Sequence, residues 1–169
     1  MYLLPEPLVL RDITPDDQLF LDALYISSRE DLLQINADPE IVLQIIKQQQ
    51  QVQTAGIRDV YPGAQHFIIA YDGQAIGRVV LHVGERDIRL VDISILPPYR
   101  NHGAARLVLQ SVQNAAQAQG LGMSMAVTKV NEPARHLYQS QGFVVRSDDG
   151  VIEQMVWPAS RLQAPMTPA

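Results

Sequence analysis

There is no cysteine among the 169 residues. That single absence removes disulfides, thiolate metal sites and a thiol nucleophile together, and it fits a reducing compartment such as the cytoplasm. Basic residues are scarce, with 13 Lys and Arg against 18 Asp and Glu and a formal net charge of −5. Nucleic acid is not expected as a partner of such a chain, because phosphate backbones are held by clustered Lys and Arg. No apolar run approaches the roughly 20 residues of a membrane span. The first residues, Met-Tyr-Leu-Leu-Pro-Glu-Pro, carry no basic region, so neither a secretion signal nor a membrane location is expected. The four histidines, His66, His82, His102 and His136, lack H-x-x-x-H spacing, and no metal site is expected. A P-loop is missing too. The G-x-G at Gly120-Leu-Gly122 follows a helical pattern, and a helix C-terminus repels phosphate.

What is present describes an ordinary globular protein, 47% apolar and 18% charged. Its length suits a single domain over residues 1–157, with a frayed tail over 158–169. Leu8 to Ile13 reads as a first strand, and Thr14-Pro15 as a helix start that runs to about Ser27-Ser28. Asp38 caps a second helix from Pro39 to Ala55, which Gly56 ends. Ile41, Val42, Ile45, Ile46 and Val52 are its expected apolar stripe, and Gln48 to Gln51 its solvated face. His66 to Tyr71 and Ala75 to Leu81, joined by Asp72-Gly73, make the clearest hairpin. In the next strand, Ile88 to Leu96, the apolar parity shifts between Leu90 and Ile93. A bulge or a coil break would each produce that shift.

A third helix follows from Arg106 to Gln119, with Val108, Val112, Ala115, Ala116 and Gln119 at helical spacing. Met123 to Val127 is a strand. A short helix capped by Asn131 buries Ala134, Leu137 and Tyr138 and stops at Gly142, and a closing hairpin turns at Asp148-Asp-Gly150. The sum is an α/β fold with a mixed, largely antiparallel sheet of about seven strands and about four helices.

The stretch Ile93-Ser-Ile-Leu-Pro-Pro-Tyr-Arg-Asn-His-Gly-Ala-Ala105 is strand, turn and helix N-terminus in succession. Unpaired N–H groups and the helix dipole make such a place an anion site. Gly103 and Ala105 leave room for a phosphate, Asn101 tolerates positive φ, and Arg100 and Arg106 add charge.

These residues resemble the pyrophosphate-binding motif of the GNAT N-acetyltransferase superfamily, R/Q-x-x-G-x-G/A after a strand and a proline turn. Asn131-Glu-Pro-Ala-Arg-His-Leu-Tyr138 with Gln141-Gly-Phe143 resembles that family's N-x-x-A-x-x-L-Y…G-F segment, one helix and one strand further on. Asn101 and His102 depart from the pattern, where Gly and Arg are usual, and Lys129 could compensate at the phosphates. The resemblance implies the GNAT fold and acetyl-CoA as cofactor. It places the pyrophosphate on Asn101, His102, Gly103, Ala104, Ala105 and Arg106 with Arg100 beside them, and the pantetheine arm along Ile93, Ser94 and Ile95. Asn131, Arg135 and Tyr138 complete the implied cofactor set. The implied reaction is direct attack of a primary amine on the thioester in a ternary complex, with Tyr138 as general acid. Asp92 is the first candidate for the base, ahead of Asp87 and Glu85, and its alternative is an ion pair with Arg89 or Arg78. Glu30 and Asp31, in the segment that usually shapes the acceptor site, would favour a cationic amine. A non-catalytic acyl-CoA sensor on the same fold is the alternative function. The oligomeric state is open, a homodimer included.

Overall fold

The computed structural model describes residues 1–158, so the expected tail lies, Pro158 apart, outside the described residues. Seven strands form one sheet: β1 (Leu8–Asp12), β2 (Gln65–Tyr71), β3 (Gln74–Val83), β4 (Asp87–Ile95), β5 (Gly122–Thr128), β6 (Val144–Asp148) and β7 (Ile152–Trp157). Their spatial order is β1-β2-β3-β4-β5-β7-β6. Every neighbouring pair is antiparallel except β4 and β5, which run parallel. Five helices accompany the sheet among the described residues: α1 (Gln18–Ser27), α2 (Glu30–Leu33), α3 (Pro39–Val60), α4 (Ala104–Ala118) and α5 (Glu132–Ser140). The fifth is α2, a single turn inside the segment expected to shape the acceptor site.

Local chemistry sets the turns. Asp72 (φ 50) and Gly73 (φ 79) both adopt the left-handed region that a two-residue hairpin of primed type requires. Asp38 caps α3 by accepting from the Glu40 amide at 2.9 Å, and Asn131 caps α5 by accepting from the Ala134 amide at 3.3 Å. The parity shift in β4 is a bulge. Val80 faces Asp92 while Leu81 faces Leu90, which leaves Val91 as the extra residue.

One face of the sheet packs on α4 and α5. Val108, Leu109, Val112 and Tyr138 join Leu81, Leu90, Met123, Met125 and Met155 in a continuous core. The expected stripe of α4 gains Leu109 and loses Gln119, which is exposed. The other face carries α1 over β3 and β4, with α3 packed against α1.

The helix α3 departs from expectation twice. It continues past Gly56 to Val60, because Ile57, the very next residue, is buried. Burying that side chain stabilises by about 2 kcal/mol, against about 1 kcal/mol for a glycine inside a helix. Its stripe is also narrower: Val42, Ile46 and Ile57 are buried, while Ile41, Ile45 and Val52 are exposed.

The start of α1 is fastened by Asp17. Its carboxylate accepts from Arg11 at 2.7 and 2.9 Å and from the Thr14 amide at 2.8 Å, and the residue is buried. The Arg11 guanidinium first, and the Thr14 N–H after it, hold this carboxyl well below the usual carboxylate range. A depressed folded pKa contributes stability that is present above the unfolded value of about 3.9 and is lost as pH falls through the folded value. Asp17→Asn is expected to cost about 2 kcal/mol at pH 7, a figure discounted for the half-exposed Arg11. Thermal unfolding should show a fall of about 6 °C in Tm, and the difference from wild type should shrink in acid below about pH 4.

Candidate active site

The parallel ladder between β4 and β5 is short. It pairs Asp87 with Gly122 through Leu90 with Met125 and stops there. From Asp92 to Ile95, β4 is paired with β3 on one side, and its other edge has no ladder to β5. Ile93, Ser94 and Ile95 therefore lie on an open strand edge.

Above this edge the chain passes through a 3-10 turn, Pro97–Tyr99, into the N-terminus of α4. Asn101 (φ 63) and Gly103 (φ 86) are both left-handed, and this folds the loop into a concave turn. Among the described residues, no amide from Asn101 to Arg106 donates to a backbone carbonyl. The first bond of α4 runs from the Leu107 N–H to the Gly103 carbonyl at 3.0 Å. Six N–H groups in succession are thus free to receive an anion, and the small Ala104 and Ala105 leave them uncovered. The Arg106 guanidinium folds back over Gly103, and it has no carboxylate partner among the described residues. His102 is exposed and lines a cavity together with Pro5 to Leu8.

Other expected cofactor residues are engaged within the protein. The Arg100 guanidinium donates to the Ile95 carbonyl at 2.8 Å, to the Ser27 carbonyl at 3.4 Å and to Glu30 at 3.2 Å, tying the loop to α1 and α2. Arg135 forms a two-pronged pair with the buried Glu153, both contacts at 2.9 Å, and so clamps α5 to β7. Lys129 is paired with Asp148 at 2.6 Å. The acids expected at the acceptor site are paired as well: Glu30 with Arg100, and Asp31 with Arg29 at 3.0 Å.

Two titratable groups reach the gap from opposite faces. Asp92, on the α3 side, accepts from Arg78 at 2.7 Å and lies 3.4 Å from the Ser94 hydroxyl. Of its two alternative ion pairs, the Arg78 pair forms. Arg89 turns instead to Ser124 and Gln154, and Asp87 to Ser124. Tyr138 comes from the α5 side, buried, with its ring centroid 6.1 Å from that of Phe143. Its hydroxyl has no hydrogen-bond partner among the described residues. Burial, and then the charge of Asp92, push its pKa up to about 12. Asp92 and Tyr138 therefore influence each other across the unpaired strand edge.

The sequence matches the family model described as Acetyltransferase (GNAT) family over residues 29–143, more than half of the chain. The protein belongs to the GNAT acetyltransferase family. A streptothricin acetyltransferase of Streptomyces lavendulae is 29% identical over 89 residues, 51% of this chain and 47% of the relative. The chain thus spans about half the length of that curated relative. Among solved structures, the PaiA N-acetyltransferase of Thermoplasma acidophilum, determined with coenzyme A, superposes with a TM-score of 0.64 at 17% identity, covering 88% of this chain and 97% of that one. An acetyltransferase of Thermus thermophilus gives 0.63 at 21%, covering 91% and 98%. These likenesses show the GNAT fold expected from the two motifs. Among the described residues no His, Cys, Asp or Glu cluster could hold a metal, and no helix is long and apolar enough to cross a membrane.

Side chains that local patterns missed also face this region. Arg78 was legible only as an alternative partner of Asp92. Gln53, which contributes nothing to a local pattern, accepts from Arg78 at 3.2 Å.

Proposed function

We propose that this GNAT protein transfers the acetyl group of acetyl-CoA to a primary amine by direct attack, with both substrates bound at once. The observation that carries the reading is the open edge of β4, approached by Asp92 from one face of the sheet and by Tyr138 from the other. Acetyl-CoA supplies an activated acetyl thioester. The amides from Asn101 to Arg106 would receive its pyrophosphate, with the Arg106 cation beside them. The edge from Ile93 to Ile95 would pair with the amide-bearing arm as an added strand. An N–H of that edge, near Ile95, would polarise the thioester carbonyl.

Holding the two reactants together lowers the entropic part of the barrier. The amine passes a proton to Asp92 as the C–N bond forms, the C–S bond breaks, and the Tyr138 hydroxyl donates toward the departing sulfur. Asn131 and Arg135 act on this step by fixing the helix that carries Tyr138. The acceptor class is set by less charge than Glu30 and Asp31 first suggest, since both acids are paired with arginines.

The test mixes protein and acetyl-CoA with a polyamine, an aminoglycoside, a lysine peptide and streptothricin, and follows free thiol. With no cysteine in the chain, the protein adds no thiol of its own. Absence of release with all four amines would sink the reading. Gly103→Ala gives a narrower check. At φ 86 an added Cβ is strained and meets the Arg106 guanidinium at 3.3 Å. Strain of about 1–2 kcal/mol in the loop should raise KM for acetyl-CoA about tenfold. Steady-state kinetics should show kcat nearly unchanged at saturation.

A further inference from the structure

The helix α3 carries two apolar stripes. One of them, Val42, Ile46 and Ile57, is buried. Beside it Gln49 meets Arg29, Gln50 donates to Asp22 at 2.9 Å and Gln53 accepts from Arg78 at 3.2 Å, which makes a polar layer between α3, α1 and the sheet. The other stripe stands in solvent: Ile41, Ile45 and Val52 are 53%, 40% and 67% exposed. A solvent-facing helix side is ordinarily polar, and β-branched residues are weaker helix formers than Gln or Lys, so nothing in the single chain favours them there.

The outward stripe has the spacing of a coiled-coil seam. Ile41, Ile45, Gln48, Val52 and Ala55 follow one another at steps of four, three, four and three residues, as the d and a positions of a heptad do. Gln44 and Gln51 flank the seam, exposed and neutral, and the one charged residue between Ile41 and Ala55 is Lys47, which the heptad sets outside the seam. A chain of net charge −5 repels its own copy over much of its surface, so a neutral apolar strip is where like faces meet at least electrostatic cost. Two heptads are too short a seam to hold free helices together. Here the helix is already folded on its domain, and no ordering of it opposes association.

We propose that this seam joins two copies of the chain, with their α3 helices antiparallel about a two-fold axis. Ile41 of one copy then meets Val52 of the other and Ile45 meets Gln48, so that a and d positions alternate across an axis between Ile46 and Lys47. The same residues serve on both sides, as a two-fold contact requires. A parallel pair would bring Asp38 and Glu40 of both copies together, whereas the antiparallel pair separates them and opposes the helix dipoles. Gln48 is the single polar member of the seam, the kind of residue that fixes register and weakens the contact. One helix face wide, the interface lies at the small end of specific contacts, about 1,000 Å² in total, and a Kd of about 1–100 µM is expected.

The experiment is sedimentation equilibrium of the full chain at concentrations from about 1 to 200 µM. A monomer–dimer equilibrium is expected. Ile45→Glu places a carboxylate at the seam of both copies and should raise Kd at least about a hundredfold. Gln48→Leu removes the polar member and should lower Kd about tenfold. Val130→Glu changes an apolar residue that is 89% exposed elsewhere on the surface, and it should leave Kd as in wild type. Far-ultraviolet dichroism should match wild type in every variant, with Tm at low concentration within about 3 °C. A chain that stays monomeric at every concentration, or a dimer that Ile45→Glu leaves intact, overturns the proposal. Should Ile45→Glu unfold the chain, Gln48→Leu decides, and an unchanged Kd in that variant overturns it equally. Association is read without turnover, so the result is independent of whether the chain acetylates amines.

Discussion

Tyr138→Phe is expected to lower kcat about a hundredfold and to leave folding intact. The substitution removes one oxygen from a buried ring. That oxygen has no protein partner among the described residues, and the ring keeps its packing against Phe143. Tm should therefore stay within about 2 °C of wild type. What is lost is donation toward the departing sulfur. With the hydroxyl pKa pushed up to about 12 and a thiol near about 8.5, complete proton transfer before C–S cleavage is uphill. On the proposed mechanism the hydroxyl would work as the charge develops on sulfur. The pH profile separates this role from a packing role. A group titrating near 12 stays protonated through the working range, so no basic limb below about pH 10 belongs to Tyr138. Wild type and Tyr138→Phe should give parallel profiles offset by a constant factor. An unchanged kcat in the variant would remove Tyr138 from the mechanism.

Gly77→Ala should be the most damaging single methyl in the sheet. A Cβ on Gly77 would stand 2.4 Å from the Ser94 carbonyl oxygen, 2.9 Å from Ile95 Cδ1 and 3.3 Å from Ile95 Cα. The first and last of these are backbone and cannot turn aside, so β3 and β4 must separate where Gly77 faces Ile95. A loss of about 3 kcal/mol or more is expected, seen as a Tm lower by about 10 °C. Arg78 follows directly in the chain, so its grip on Asp92 loosens and kcat falls as well. Gly56→Ala is the matched control. Nothing lies within 4 Å of its added methyl, and the residue is helical. The expected change is a gain of about 0.5–1 kcal/mol. If both variants melted at the wild-type temperature, close approach of β3 to β4 would not be what Gly77 serves.

What could be read from the sequence followed from short-range rules. Asp72-Gly73, Asp38, Asn131 and the positive φ of Asn101 each depend on a residue and its near neighbours. The bulge was visible because an apolar parity cannot shift without a backbone irregularity. The remainder depends on partners far along the chain. Gln50 looks solvated until Asp22, 28 residues away, is brought to it, and Gln53 until Arg78 is. Ile41, Ile45 and Val52 have helical spacing, but the width of the buried stripe is decided by how α1 and the sheet meet α3. Glu30 and Asp31 looked like an acidic acceptor wall because the reach of Arg100 and Arg29 is a tertiary fact. In the candidate site, the two motifs pointed to the strand edge, the loop and Tyr138. They said nothing of the layer beneath Asp92.

Four residue pairs are all that join β4 to β5, so the sheet amounts to two plates, of four and three strands, meeting at a weak seam. In the free protein, those amides of β4 beyond Leu90 that point into the gap have no ladder to protect them and should exchange hydrogen for deuterium quickly. A bound arm lying along that edge would act as the missing strand and tie the plates together. Rigidity of the whole molecule would then rise and fall with cofactor supply, and an acetyltransferase short of acetyl-CoA would be the form that proteases find first.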